Sequence, residues 1–162
     1  MVPKDILAKL SLFEGLPEVA LEHLAGLADE VPFAAGTAIF SPEQPSEDLY
    51  VLLEGSVRLT LYVSPHTGHV TVTVLGTPGQ AFGFSAVVGT GHHSFAEAFT
   101  AGRVLTLPGR ALMDYLEREP AVGFVVMKRV ATVISQRLAA LRRHLVELII
   151  DYERPPSATA EN

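Results

Sequence analysis

The chain has no cysteine among its 162 residues. That excludes disulfides, thiolate catalysis and any cysteine-held zinc or iron–sulfur site. Long apolar runs are missing as well. The longest, around residues 123–127, is cut by Lys128 and Arg129, far short of the ~20 residues that a membrane-spanning helix needs. The opening MVPKDILAKL lacks the basic start, apolar middle and small-residue cleavage site of a secretion signal, so a cytoplasmic location is expected. Basic charge is also scarce: 12 Lys and Arg stand against 18 Asp and Glu, a formal net charge of -6. Sequence-independent nucleic-acid binding works by displacing counterions with basic surface, and this chain has little to offer it. Catalytic signatures are absent too. There is no G-x-S-x-G, no H-E-x-x-H, no H-x-H of a cupin-type enzyme and no carboxylate pair at useful spacing. The chain is therefore read as a non-enzyme.

What is present is a globular composition, 48% apolar, in three textures. Residues 4–30 carry apolar positions at helical spacing: Ile6, Leu7 and Leu10, then Val19, Leu21, Leu24 and Leu27 after Pro17. Two short helices are predicted, joined by the turn LFEGL. Residues 31–107 change to short β-branched or alternating runs, broken by turn segments such as SPEQPSED, SPHTGH and GTPGQ. That pattern predicts an antiparallel sheet folded as a sandwich, barrel or roll. From Pro108 the helical period returns, first over PGRALMDYLEREP, then over one helix of about thirty residues. The apolar positions of this long helix are Met127, Val130, Ile134, Leu138, Leu141, Leu145, Leu148 and Tyr152. From Leu138 they step 3, 4, 3, 4, the seam of a two-stranded coiled coil. Its first half is expected to cover the sheet, and its second half to pair with another copy. The segment 155–162 is expected to be a disordered tail.

This order of elements, with its local motifs, resembles the cyclic nucleotide-binding domain of the catabolite-activator and FNR-like regulators. The motifs are LFEGL at 12–16, GTAIF at 36–40, LYVLLEGSVRLTL at 49–61 with Gly55 in a tight turn, and LGTPGQAFG at 75–83. The resemblance runs from Leu12 to about Leu148. It implies one mainly β domain over residues 1–154, an antiparallel β-roll or jelly roll with N-terminal helices and a long C-terminal dimerisation helix. It also implies a regulatory role in bacterial signal transduction. A homodimer through residues 127–152, a small nucleotide-like ligand and a possible protein partner follow from it. Relatives that bind DNA continue into a helix-turn-helix domain. This chain stops at Asn162, so a stand-alone module without direct DNA binding is expected, and no membrane partner.

The resemblance places the ligand loop at 82–98, FGFSAVVGTGHHSFAEA. In the family a phosphate sits at the start of a short helix, held by backbone N–H groups, a Gly-Glu pair and an arginine. Here Gly83 is kept, and FSAVV is expected to form the short helix. Phe84 stands in the glutamate position and His92 in the arginine position, with His93 and Ser94 beside it. Both charged anchors are replaced, so cyclic AMP binding is expected to be weak or absent. Gly83, Phe84, Ser85, Ala86, His92, His93, Ser94 and the strand residue Thr73 form the candidate ligand-binding set. Ser85 reads as a cap of the short helix or as a phosphate contact. The ligand implied is a cyclic nucleotide or cyclic dinucleotide, with no resident cofactor or metal.

Two alternatives stand beside that reading. The fold can serve purely as a structural or interaction domain, with Phe84 filling the vacated ribose site. Or His92 and His93, with His66 and His69, can serve a haem or metal sensor. The basic residues Lys128, Arg129, Arg137, Arg142 and Arg143 read as a solvated helix face. His66 and His69 read as exposed loop residues.

Overall fold

The computed structural model describes residues 2–153, excepting the side chains of residues 148, 149 and 151–153. The expected tail at 155–162, and the seam side chains of Leu148 and Tyr152, lie outside the described residues. The chain divides into two compact units, residues 1–130 and 131–162.

The first unit opens with α1 (Lys4–Ala8) and α2 (Glu18–Leu27). Strands β1 (Asp29–Phe33), β2 (Ala38–Phe40), β3 (Asp48–Ser64), β4 (Gly68–Leu75) and β5 (Ala81–Phe82) follow. Then come the one-turn helix α3 (Ser85–Val88), the long strand β6 (Phe95–Pro108), α4 (Gly109–Arg118) and α5 (Pro120–Glu153). The sheet is antiparallel throughout, in the order β1-β6-β3-β4, with β2 added to β6 and β5 to β3.

The axis of the unit is the pairing of β3 with β6, from Asp48↔Pro108 to Thr60↔Phe95. Two apolar cores share these strands. Leu49, Val51, Leu105 and Leu107 pack with the helices, against Leu7, Phe13, Leu24 and Leu112. Leu52, Val57, Leu59, Ala96, Ala98 and Val104 pack with Phe33, Phe40, Leu75 and Phe82. Side chains alternate along a strand, so Leu52 and Val57, five residues apart, face one core only if the phase changes between them. The register shifts between Leu52 and Val57 make that change. They are built on glycine. A Cβ at Gly55 would lie 2.4 Å from the Ala101 oxygen, and one at Gly102 would lie 2.0 Å from the Glu54 oxygen. Gly55 also has φ +80, a region that favours glycine. The tight turn expected at Gly55 is thus corrected: β3 runs unbroken through it as an irregular, bulged crossing of two backbones. Arg103, next to Gly102, pairs with Glu30 of β1 and Glu54 of β3 across this crossing.

Helices close the first core. In α4, Leu112, Tyr115 and Leu116 are buried at helical spacing, and Val122, Val126 and Val130 continue the same core from the start of α5. The expectation that the first part of the long helix covers the sheet's apolar face rests on these three valines. The second unit begins at Ala131. There Ile134, Leu138, Leu141 and Leu145 are exposed.

Candidate ligand loop

The loop is anchored by β5, whose Ala81 and Phe82 pair with Val51 and Tyr50 of β3. Gly83 turns the chain with φ +74. A Cβ there would lie 2.7 Å from Tyr50 Cδ2 and 2.9 Å from the Asp48 oxygen, so the site tolerates no side chain. Phe84 follows in helical geometry as the N-cap of α3, and Gly89, with φ +74, closes the helix in the left-handed region. Ser85 is the first helical residue rather than the cap, and no side chain caps α3. The expected capping role of Ser85 is therefore corrected.

The amides of this turn are largely committed. The Ala86 N–H donates to the Gly83 carbonyl at 3.1 Å, and the Val87 and Val88 N–H groups donate to the Phe84 carbonyl at 3.0 and 3.2 Å. Ala86 abuts α4: a Cβ on Gly109 would lie 2.4 Å from the Ala86 oxygen and 2.7 Å from its methyl. Phe84 is half-buried against the helical core, and Val87 is buried in it. The ring of Phe84 thus belongs to the packing of the loop.

His92 is 6% exposed. Its ring lies flat on Phe40, centroids 3.9 Å apart and planes 4° from parallel. Phe40 in turn approaches Tyr50 at 5.6 Å and Phe82 at 6.1 Å, and Tyr50 stacks on Phe82 at 5.1 Å. His92 is therefore the end of an aromatic stack. Its Nδ1 lies 3.5 Å from Ser46 Oγ, the outer limit of a hydrogen bond. Burial, and then the neighbouring His93, hold the imidazole below its ordinary pKa. Around Tyr50 the charge is acidic. Burial, with the Asp48 and Glu47 charges, pushes the Tyr50 hydroxyl up to about 12, and Asp48 itself is raised by burial, Glu47 and Asp29. His93 is exposed and Ser94 half-buried. Thr73 lies on β4, opposite Leu59.

A scan against family models matches residues 30–119, more than half of the chain, to the cyclic nucleotide-binding domain. The chain belongs to the cyclic nucleotide-binding domain family. A CRP-like cAMP-activated global transcriptional regulator of Mycobacterium tuberculosis is 25% identical over 146 residues, 90% of this chain and 62% of the regulator. An anaerobic regulatory protein of Pasteurella multocida is 26% identical over 121 residues, 74% of this chain and 44% of its own length. The chain therefore spans less than two thirds of these curated relatives. Among solved structures, a proposed cyclic nucleotide-binding protein from Geobacter metallireducens is 30% identical with a TM-score of 0.74, over 85% of this chain and 99% of that one. The fold of this family, with its antiparallel sheet, flanking helices and long C-terminal helix, is the fold described above, and the two curated relatives are bacterial regulators.

Within this cyclic nucleotide-binding domain the structure joins some predicted residues and separates others. Gly83, Phe84, Ser85 and Ala86 form one turn and helix start. His92 joins them through the Phe40–Phe82–Tyr50 rings. Phe40 and Ser46, the partners of His92, went unrecognised in the sequence; 46 residues separate Ser46 from His92, and only strand pairing brings them together. Glu97, the one carboxylate of the loop segment, accepts both its bonds from Arg58 Nη2.

Two expectations about other residues are corrected. His69 is no loop histidine: it lies on β4, 3.4 Å from Thr60 Oγ1 and edge-on to Phe95. Arg129 is not simply solvated, because its Nη1 donates to the Leu12 carbonyl at 3.2 Å. Among the described residues no three His, Asp or Glu side chains gather as a metal site, and no helix is long and apolar enough to cross a membrane.

Proposed function

We propose that this domain is a regulatory module that takes a small anionic, nucleotide-like ligand at the 82–98 loop and signals through its long helix. The observation that carries the reading is the preserved frame of the loop. Gly83 is locked against Tyr50 and Asp48, and a one-turn helix follows at once. Only the two ionic anchors of the family differ, Phe84 and His92 standing in their places. A phosphate in this frame would meet the hydroxyls of Ser85 and Ser94 and the His93 ring. Each charge-assisted bond lost costs about 1.5–3 kcal/mol, or roughly one to two decades of affinity. Cyclic AMP binding is accordingly weak. The exposed seam at Leu138, Leu141 and Leu145 supports a homodimer through the long helix, with residues 127–152 as its span.

A second reading is favoured by a specific observation. His92 is buried in a ring stack, and three amides of α3 are bonded internally. A purely structural or interaction domain of the same fold would look like this. Calorimetry with cyclic AMP, cyclic GMP and cyclic dinucleotides separates the two. Saturable binding below millimolar concentration by any of them supports the sensor, and its absence for all of them leaves the structural domain.

A further inference from the structure

A cavity of about 400 Å³ is lined by Phe40, on whose ring His92 stacks, and by Arg58, Thr60, His69, Phe95 and Glu97 among others. Pockets of this volume suit small molecules. Its chemistry comes from strand phase. Leu59 and Ala96 pair across β3 and β6 and face the core; Arg58↔Glu97 and Thr60↔Phe95, one residue to either side, face the opposite way.

The polar groups there are only partly used. Arg58 gives both its bonds to Glu97 from Nη2 alone, at 3.2 Å to each oxygen. That is long for a charged pair, which prefers about 2.7–2.9 Å. Arg58 Nε is buried with no partner, a condition that in native proteins calls for a ligand, a water or a role. The Glu97 carboxylate keeps acceptor capacity for further donors. The Thr60 hydroxyl, in a residue only 8% exposed, has just a 3.4 Å contact to His69 Nδ1. One wall is apolar: Phe95, held edge-on by His69 at 4.5 Å.

We propose that this cavity binds an α-amino acid zwitterion with an apolar side chain. A free anion would face Glu97, and a free cation would face Arg58. A head group carrying both charges satisfies each: its carboxylate accepts from the Arg58 guanidinium and the Thr60 hydroxyl, and its ammonium donates to Glu97. The side chain lies along Phe95 and Phe40. The site shares no residue with the 83–94 ligand set and does not depend on ligand binding there.

The test is an amide-resolved NMR titration of the full chain with phenylalanine, leucine, N-acetylphenylalanine and phenylalaninamide. Phenylalanine or leucine is expected to give saturable shifts at residues 58–60, 69–71 and 95–97. The acetylated and amidated compounds, each stripped of one charge, bind about tenfold more weakly or less. Glu97→Gln and the near-isosteric Thr60→Val each weaken the amino acid by a similar factor, with thermal melts confirming that the variants fold. The proposal is overturned if neither amino acid saturates at millimolar concentration, if either blocked compound binds as well as phenylalanine, or if Thr60→Val leaves affinity unchanged. Shifts confined to residues 83–94 would overturn it equally.

Discussion

If the loop frame is intact and only its anchors are changed, restoring them should restore cyclic AMP binding. The perturbation is His92→Arg, alone and with Phe84→Glu. Each charge-assisted bond regained is worth about 1.5–3 kcal/mol. His92→Arg alone should therefore tighten cyclic AMP by roughly tenfold to a hundredfold, at about 1.4 kcal/mol per decade. The cost falls on the unliganded protein. The flat His92–Phe40 contact is lost, worth about 0.5–1.5 kcal/mol. A guanidinium must also be accommodated where the native side chain is only 6% exposed. The variant should accordingly melt lower without ligand and regain that stability when saturated. The assay is calorimetry with cyclic AMP, paired with thermal melts with and without ligand. A double variant that folds, yet binds cyclic AMP no better than the native chain, would refute the reasoning. It would mean that the amides bonded to Gly83 and Phe84, not the missing charges, keep the loop closed.

Three further outcomes are expected. Gly102→Ala forces a Cβ to within 2.0 Å of the Glu54 carbonyl oxygen. It should cost about 3 kcal/mol or more, read from urea unfolding; a loss under about 1 kcal/mol would contradict the close crossing of β3 and β6. His92 is held below its ordinary pKa by burial, so the folded state protonates less readily than the unfolded one. Its contribution is fully present above about pH 6.5 and is lost as pH falls toward the lower folded value. In His92→Phe, which keeps a ring against Phe40, that part of the acid-side slope should vanish from a series of denaturant melts. Leu138→Asp with Leu145→Asp places two charges on the exposed apolar seam. Sedimentation velocity should show a dimer for the native chain and a monomer for the variant, with the melt of the β unit little changed; an unaltered sedimentation profile would put any dimer contact elsewhere.

The division between what could be read and what could not follows particular residues. The helices at 4–27 and from 109 onward are local, and the 3.6-residue spacing of Leu112, Tyr115 and Leu116, then Val122, Val126 and Val130, declares them. Gly83 was identified by its place in a motif, and the structure supplies the reason: the neighbouring strand leaves no room for a Cβ. Gly55 was misread as a turn. A turn and a bulged crossing both demand glycine, and they differ only in what lies opposite, here Gly102. Ser85 was misread as a cap, because one residue of offset in the helix start moves that role to Phe84.

By itself the sequence determined which elements form, their antiparallel class and their family, because periodicity, turn residues and motif order are properties of neighbours along the chain. Only the tertiary structure decided what Phe84 and His92, which the resemblance sets in the anchor positions, meet. His92 meets Phe40 and Ser46, and Arg58 meets Glu97 in the lining of an open cavity, contacts between residues 39 to 52 positions apart in the chain. Those contacts depend on register, and register is set by the whole sheet closing over its cores, not by any stretch of residues read alone.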